Sequence, residues 1–306
     1  MQVFSKIIDI TALYSNIVIA LGTFDGVHVG HQSIIRQAIE LAKSIHGISM
    51  VFTFSNHPFS IVAPERVPLQ IGDNFSKKHL LDELGVDILV DIPFTRKFAK
   101  ISPEEFLTAL KENYAPKYLV VGPNYTFGHR GKGNVKMLLR EGKNYGFEAE
   151  IHSGVYMDGR IVSSTQIRKL LAVGDLDMVT EYLGRPFTFS GRVVHGDKRG
   201  RTLGFPTANL AIGDTRAMLP NGVYAVQITL HNEKYSGVAN IGTNPTFEGC
   251  KRRLETYILD FHKDIYDAVL QVQFLHKLRD EQKFSSAENL VKQMHLDIKN
   301  AEKYFL

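Results

Sequence analysis

The chain has 306 residues, a hydrophobic fraction of 44%, a charged fraction of 22% and a formal net charge of +4. At roughly 150 residues per domain this is the length of two domains, each able to bury its own core, and the composition excludes an extended disordered chain. The mild positive charge suits anionic small molecules such as nucleotides. No Lys/Arg stripe interleaved with aromatics is present, so no nucleic-acid partner is expected.

The first residues, "MQVFSKIIDITALY", lack a basic start followed by a long apolar run, so no signal peptide is expected. No window reaches the roughly 18 apolar residues of a membrane span, so no membrane partner is expected either. From here the chain alternates. "IVIAL" (17–21), "ISMVFTF" (48–54), "VDILVDI" (86–92) and "YLVV" (118–121) read as buried strands. Between them lie helical patterns. In "HQSIIRQAIELAKSI", Ile34, Ile35, Ala38, Ile39 and Ala42 share one face. "SPEEFLTALKENY" opens with Ser102 as cap, Pro103 at the first helical position and Glu105 closing a capping box. Strands alternating with helices predict a parallel sheet covered on both faces, with ligands at the carboxyl ends of its strands.

The pattern changes at "LGRPF", so the domains are expected at 1–184 and 185–306. Short strand-like runs follow, separated by Gly, Asn and Pro. In "VYAVQITL", Tyr224, Val226, Ile228 and Leu230 face one way, and Ala225, Gln227 and Thr229 the other. This predicts an antiparallel barrel or sandwich. The one cysteine, Cys250, excludes an intrachain disulfide and suits a reducing compartment, so a cytoplasmic location is expected. The chain closes with a helix, "SSAENLVKQMHLDIKNAEKYF", read with a capping box of Ser285 and Glu288 and a stripe of Leu290, Val291, Met294 and Ile298.

Two stretches carry chemistry. The first, "GTFDGVHVGHQS" (22–33), sets His28 and His31 where a strand turns into a helix. Free N–H groups and the helix dipole make such a start attractive to phosphate. Three readings are open: phosphate donors, metal ligands and structurally bonded histidines. A zinc site needs three or four ligands, and no H-E-x-x-H or C-x-x-C motif exists. Gly22, Gly26 and Gly30 favour close approach of a ligand to the backbone. The second stretch, "GRVVHGDKRGRTLGFPTANL" (191–210), holds Gly196, Gly200 and Gly204 among Lys198 and Arg201. It contains neither a Walker A nor a G-x-G-x-x-G pattern. A basic, glycine-rich loop can cradle phosphate or be a mobile surface loop.

Whole motifs narrow these readings. "GTFDGVHVGH" resembles the H-x-G-H signature of the nucleotidyltransferase superfamily, and "SSTQIRKLL" (163–171) resembles its second signature. "GFPTAN", "NIGTNPTF" (240–247), "LETYILDF" (254–261) and "LRDEQKF" (278–284) resemble riboflavin kinases. The pair, in this order, resembles the prokaryotic bifunctional riboflavin kinase/FMN adenylyltransferase family, also called FAD synthetase. The resemblance implies a Rossmann-like α/β adenylyltransferase module with a parallel sheet, then an all-β, six-stranded antiparallel barrel kinase module with a C-terminal helix. It implies two ATP-dependent reactions: riboflavin to FMN, then FMN to FAD and pyrophosphate. An alternative is that only one activity is retained.

The same resemblance implies the site residues. For adenylyl transfer these are His28 and His31 at the α-phosphate, Arg168 at the β- and γ-phosphates, and Gly22, Phe24, Asp25, Gly26, Gly30, Asn124, Ser164 and Thr165 around ATP. For the kinase they are Glu255 as base and Gly196, Lys198, Gly200, Arg201, Gly204, Pro206, Thr207 and Asn209 around ATP. Thr207 and Asn209 would also meet Mg2+, and His57 and Arg279 lie near flavin. Riboflavin, FMN and FAD are substrates or products; the oligomeric state stays open. The chain departs from the family at Thr23 (usually Asn), Asn56 (often Pro), Tyr125 (usually Phe) and Asp267 (usually Gly). A Gly at 267 would point to a positive φ.

Overall fold

The computed structural model describes residues 1–196, 200, 203–246 and 249–305, without the side chains of 244–246 and 249–251. Lys198 and Arg201 lie outside the described residues, and nothing is described for the side chain of Cys250. The chain forms two compact units: Met1–Pro68 with Asp73–Ser163, and Leu69–Gly72 with Ser164–Leu306.

The first unit is built on a six-stranded parallel sheet. In chain order its elements are β1 (Gln2–Phe4), β2 (Ile17–Leu21), α1 (Val29–Ser44), β3 (Ile48–Phe54), α2 (Phe59–Val62), α3 (Asn74–Glu83), β4 (Ile88–Ile92), α4 (Pro103–Tyr114), β5 (Tyr118–Val121), β6 (Thr126–Phe127), β7 (Gly133–Asn134), α5 (Val135–Tyr145), β8 (Glu148–Ile151), β9 (Tyr156–Met157) and β10 (Arg160–Ile161). Sheet order is β1-β4-β3-β2-β5-β8. All five residues of β2 are buried, as a strand covered on both faces requires. Alternate residues feed two cores. Val18 and Ala20 pack with Ile34, Ile35 and Ala38 of α1. Ile17, Ile19 and Leu21 pack with Phe106, Leu107 and Leu110 of α4. The predicted α1 stripe is buried in full, and the Ser102–Glu105 capping box forms as expected. The edge strands β1 and β8 were not visible in the sequence, because Gln2, Glu148 and Glu150 break their apolar runs. The chain runs outward from β2 through β3 to β4, then returns to β5 on the other side of β2. Strand order therefore reverses between β2 and β5, where such sheets bind ligands.

The second unit holds α6 (Ser164–Val173), α7 (Leu176–Leu183), the strands β11 (Thr188–Val194), β12 (Thr207–Ala211), β13 (Gly222–Leu230), β14 (Glu233–Thr246), β15 (Gly249–Ile258) and β16 (Val269–Arg279), and α8 (Ala287–Ala301). The six strands close into an antiparallel barrel in the order β11-β12-β15-β14-β13-β16. Tyr224, Val226, Ile228 and Leu230 are buried as read from the sequence, and Ala225 is buried as well.

Two expectations for α8 shift. Its cap is Ser286, whose side chain accepts the Asn289 N–H, not Ser285. Its apolar stripe is half-buried, because Leu290, Met294 and Ile298 roof a cavity and do not enter a core. Asp267 does adopt a left-handed backbone, with φ 64°, a conformation Asp tolerates better than most non-glycine residues. Among the described residues no helix is long and apolar enough to cross a membrane.

Candidate active sites

The first site grows from the turn between β2 and α1. Phe24 (φ 50°), Gly26 (φ 77°) and Val27 (φ 39°) all adopt left-handed backbone. For buried Phe24 and Val27 this costs about 1–3 kcal/mol each, held by the packing around them. Gly22 is required by that packing: a Cβ there would lie 2.9 Å from the Phe24 ring. The turn delivers His28 as the N-cap of α1. Its Nδ1 accepts the His31 backbone N–H at 3.2 Å. In a neutral His28 the proton is therefore on Nε2. The two imidazoles stack, with centroids 3.5 Å apart and planes 19° from parallel. Phe24 meets His31 edge-on at 5.3 Å. Gly30 leaves room for this stack, since a Cβ would sit 3.2 Å from His28 Cε1 and Nδ1. The sequence placed both histidines at a helix start but missed that His28 is itself the cap, because the usual capping residues are Ser, Thr, Asp and Asn.

Asn124 is exposed in the turn after β5, which the Tyr125 N–H closes by donating to the Gly122 carbonyl at 3.2 Å. His57 follows β3, and its Nδ1 accepts the Phe59 N–H at 3.1 Å. Asn56, where the family often has Pro, is used fully. Its Oδ1 accepts the Phe94 N–H at 2.8 Å, and its Nδ2 donates to the Phe94 carbonyl at 3.1 Å. The first unit contains Gly22, Phe24, Asp25, Gly26, His28, Gly30, His31, His57 and Asn124. Ser164, Thr165 and Arg168, in the first turns of α6, belong to the second unit. There Arg168 Nε donates to the Leu69 carbonyl at 2.6 Å.

The second site lies on the outer face of the barrel, beneath α8. It is a cavity of about 320 Å3 whose lining includes Thr207, Asn209, Asn240, Glu255 and Arg279. Leu254 and Thr256 point into the barrel and are fully buried, so Glu255 between them points outward. In register it faces Asn209 of β12 on one side and Asn240 of β14 on the other. Asn240 was not singled out in the sequence; only the register brings it to Glu255. Asn209 is buried, its Nδ2 donates to the Thr207 carbonyl at 3.3 Å, and its Oδ1 has no hydrogen-bond partner among the described residues. A buried, unsatisfied carbonyl oxygen fits a hard cation such as Mg2+. Among the described residues no group of three or more His, Cys, Asp or Glu could hold a metal ion.

Described residues of the glycine-rich stretch, Gly200, Leu203 and Phe205, line the same cavity. Gly196 abuts Asn209: a Cβ would fall 2.4 Å from its Nδ2. The Gly200 carbonyl accepts the N–H groups of Leu203 (3.1 Å) and Phe205 (2.8 Å), Gly204 has φ 87° and Pro206 is exposed. Arg279 lines the cavity but is held by a fork. Its Nε and Nη2 donate to buried Asp297 of α8 at 2.8–3.1 Å.

A doubly wound α/β unit with paired histidines at a helix start, followed by a small barrel with an acidic site under a terminal helix, defines a two-site nucleotide-using enzyme. Residues 11–166 match the FAD synthetase family and residues 183–305 the riboflavin kinase family. The chain is 36% identical over 290 residues to the bifunctional riboflavin kinase/FMN adenylyltransferase of Haemophilus influenzae, covering 94% of each chain. It is 37% identical to the Escherichia coli enzyme of that name, covering 94% of this chain and 92% of that one. The chain belongs to the bifunctional riboflavin kinase/FMN adenylyltransferase family. A crystal structure from Streptococcus pneumoniae, described as a macrolide-efflux protein, superposes with a TM-score of 0.85 at 35% identity and 95% coverage of both chains.

Proposed function

We propose that this chain phosphorylates riboflavin with ATP to FMN and then adenylylates FMN with ATP to FAD and pyrophosphate. The observation that supports both activities is that each unit carries a chemistry-bearing pair of its own: the His28–His31 stack in one and the Glu255–Asn209 register pair in the other.

In the kinase reaction Glu255 accepts the proton of the primary alcohol as its oxygen attacks the γ-phosphate. Thr207 and Asn209 would hold Mg2+, which neutralises charge on the transferring phosphate when bound. The turns around Gly196, Gly200 and Gly204 bring backbone close to the nucleotide. In the transfer reaction the attacking phosphate is already anionic, so no base is needed. His28 and His31 donate to the α-phosphate at the start of α1, where the helix dipole favours charge building up there. Arg168 serves the β- and γ-phosphates, and His57 and Asn124 the flavin and nucleotide. Residues 1–184 are assigned to transfer and 185–306 to phosphorylation, in the cytoplasm.

Incubation with riboflavin, ATP and Mg2+, followed by separation of the flavins over time, tests the proposal. FAD is expected to appear through FMN. FMN that accumulates without FAD would overturn the second reaction.

A further inference from the structure

Lys77 in the first turn of α3 is buried, only 7% exposed, which is costly for a charged amine. Its Nζ donates to the Phe54 carbonyl at 2.7 Å and lies 3.6 Å from Oδ1 of Asp91, itself 3% exposed. Lys78 reaches the other oxygen of Asp91 at 3.2 Å. These contacts fall at the carboxyl ends of two neighbouring strands, β3 and β4. Phe54 closes β3 and leads through Ser55 into Asn56 and His57; the Asn74 side-chain amide donates to the Ser55 carbonyl, so α3 grips two successive carbonyls there. Asp91 stands opposite Thr53 in the sheet, and the Thr53 hydroxyl donates to the Thr23 carbonyl at 3.1 Å, inside the signature turn. Burial pushes the Lys77 pKa down while Asp91 and Asp25 hold it up, which places Asp25 of that turn within electrostatic reach of the amine.

We propose that Lys77, paired with Asp91, is a positioning residue of the transfer site, fixing the His57 segment and the signature turn against each other. The inference rests on the transfer reaction proposed above. Its charge sits beneath the site and touches no reacting atom. Its work is to hold two loops that enter from separate strands.

The test supplies FMN, ATP and Mg2+ directly and measures FAD formation. Lys77→Met should lower kcat about a hundredfold, the scale of a misplacement of about 1 Å, with KM for ATP changed by less than about threefold. Riboflavin phosphorylation by the same variant should be unchanged. Replacing both partners, Lys77→Met with Asp91→Leu, should restore unfolding stability, as apolar replacement of a buried pair often does, yet leave transfer slow. Wild-type transfer in a folded double variant would overturn the proposal, because the pair would then serve stability alone. Should the double variant not fold, Asp91→Asn carries the test, and wild-type kcat in it would likewise overturn the proposal. A wild-type enzyme that makes no FAD from FMN would instead overturn the assigned reaction.

Discussion

His28 caps the helix on which His31 sits: its Nδ1 accepts the His31 N–H at 3.2 Å while its ring stacks on the His31 ring. One imidazole thus does two jobs, and they can be separated. His28→Ala should cost about 1 kcal/mol of stability through the lost cap and lower FAD formation by about a hundredfold or more through the lost donor. His28→Asn retains a capping oxygen, so it should recover stability and leave transfer slow. FMN formation should be normal in both. An Asn variant that transfers at the wild-type rate would show the cap to be what matters.

Glu255→Gln keeps the shape of the side chain and removes the base. FMN formation should fall by about 10²–10⁴, while added FMN should still become FAD. Equal damage to both reactions in a folded variant would contradict the separation of the sites.

The buried Oδ1 of Asn209 gives a metal-dependence test. Asn209→Ala should raise the Mg2+ concentration for half-maximal phosphorylation by about tenfold or more, the scale of a perturbed metal site. The Mg2+ dependence of transfer should not move. A parallel change in both reactions would remove Asn209 from the kinase site.

Arg279 is held by Asp297, whose side chain is 5% exposed. Arg279→Met leaves that carboxylate buried with the Gln293 amide but without its counter-charge, so unfolding should be easier by about 3–5 kcal/mol in denaturant titrations of the whole chain. A variant with normal stability and a raised KM for riboflavin would show that the arginine serves the ligand and not α8.

Much of this arrangement was legible because it is local. β2, β3 and β5 coincide with their apolar runs, and the α1 stripe emerged residue for residue. The histidine pair and Glu255 came through motifs. What stayed hidden depends on register or long-range contact. Asn240 meets Glu255 only because β14 pairs with β15, and Asp297 is buried in α8 only because Arg279 of β16 forks onto it. Lys77 carries no motif, and only the sheet places Phe54 and Asp91 around its amine.

The Leu69–Gly72 segment has a consequence for anyone who would take the protein apart. The Gln70 N–H donates to the Thr215 carbonyl at 2.8 Å, and the Ala217 N–H donates to the Gln70 carbonyl at 2.9 Å. These four residues are spelled within the first half of the gene product and belong to the second compact unit. The polypeptide leaves its first unit, contributes a short stitch to the second, and returns before leaving for good. A single scission near 184 therefore separates Leu69–Gly72 from the rest of the second unit. A fragment ending near 184 carries away these four residues and the two backbone hydrogen bonds they share with Thr215 and Ala217, so substitutions dissect the two activities without disturbing that pairing.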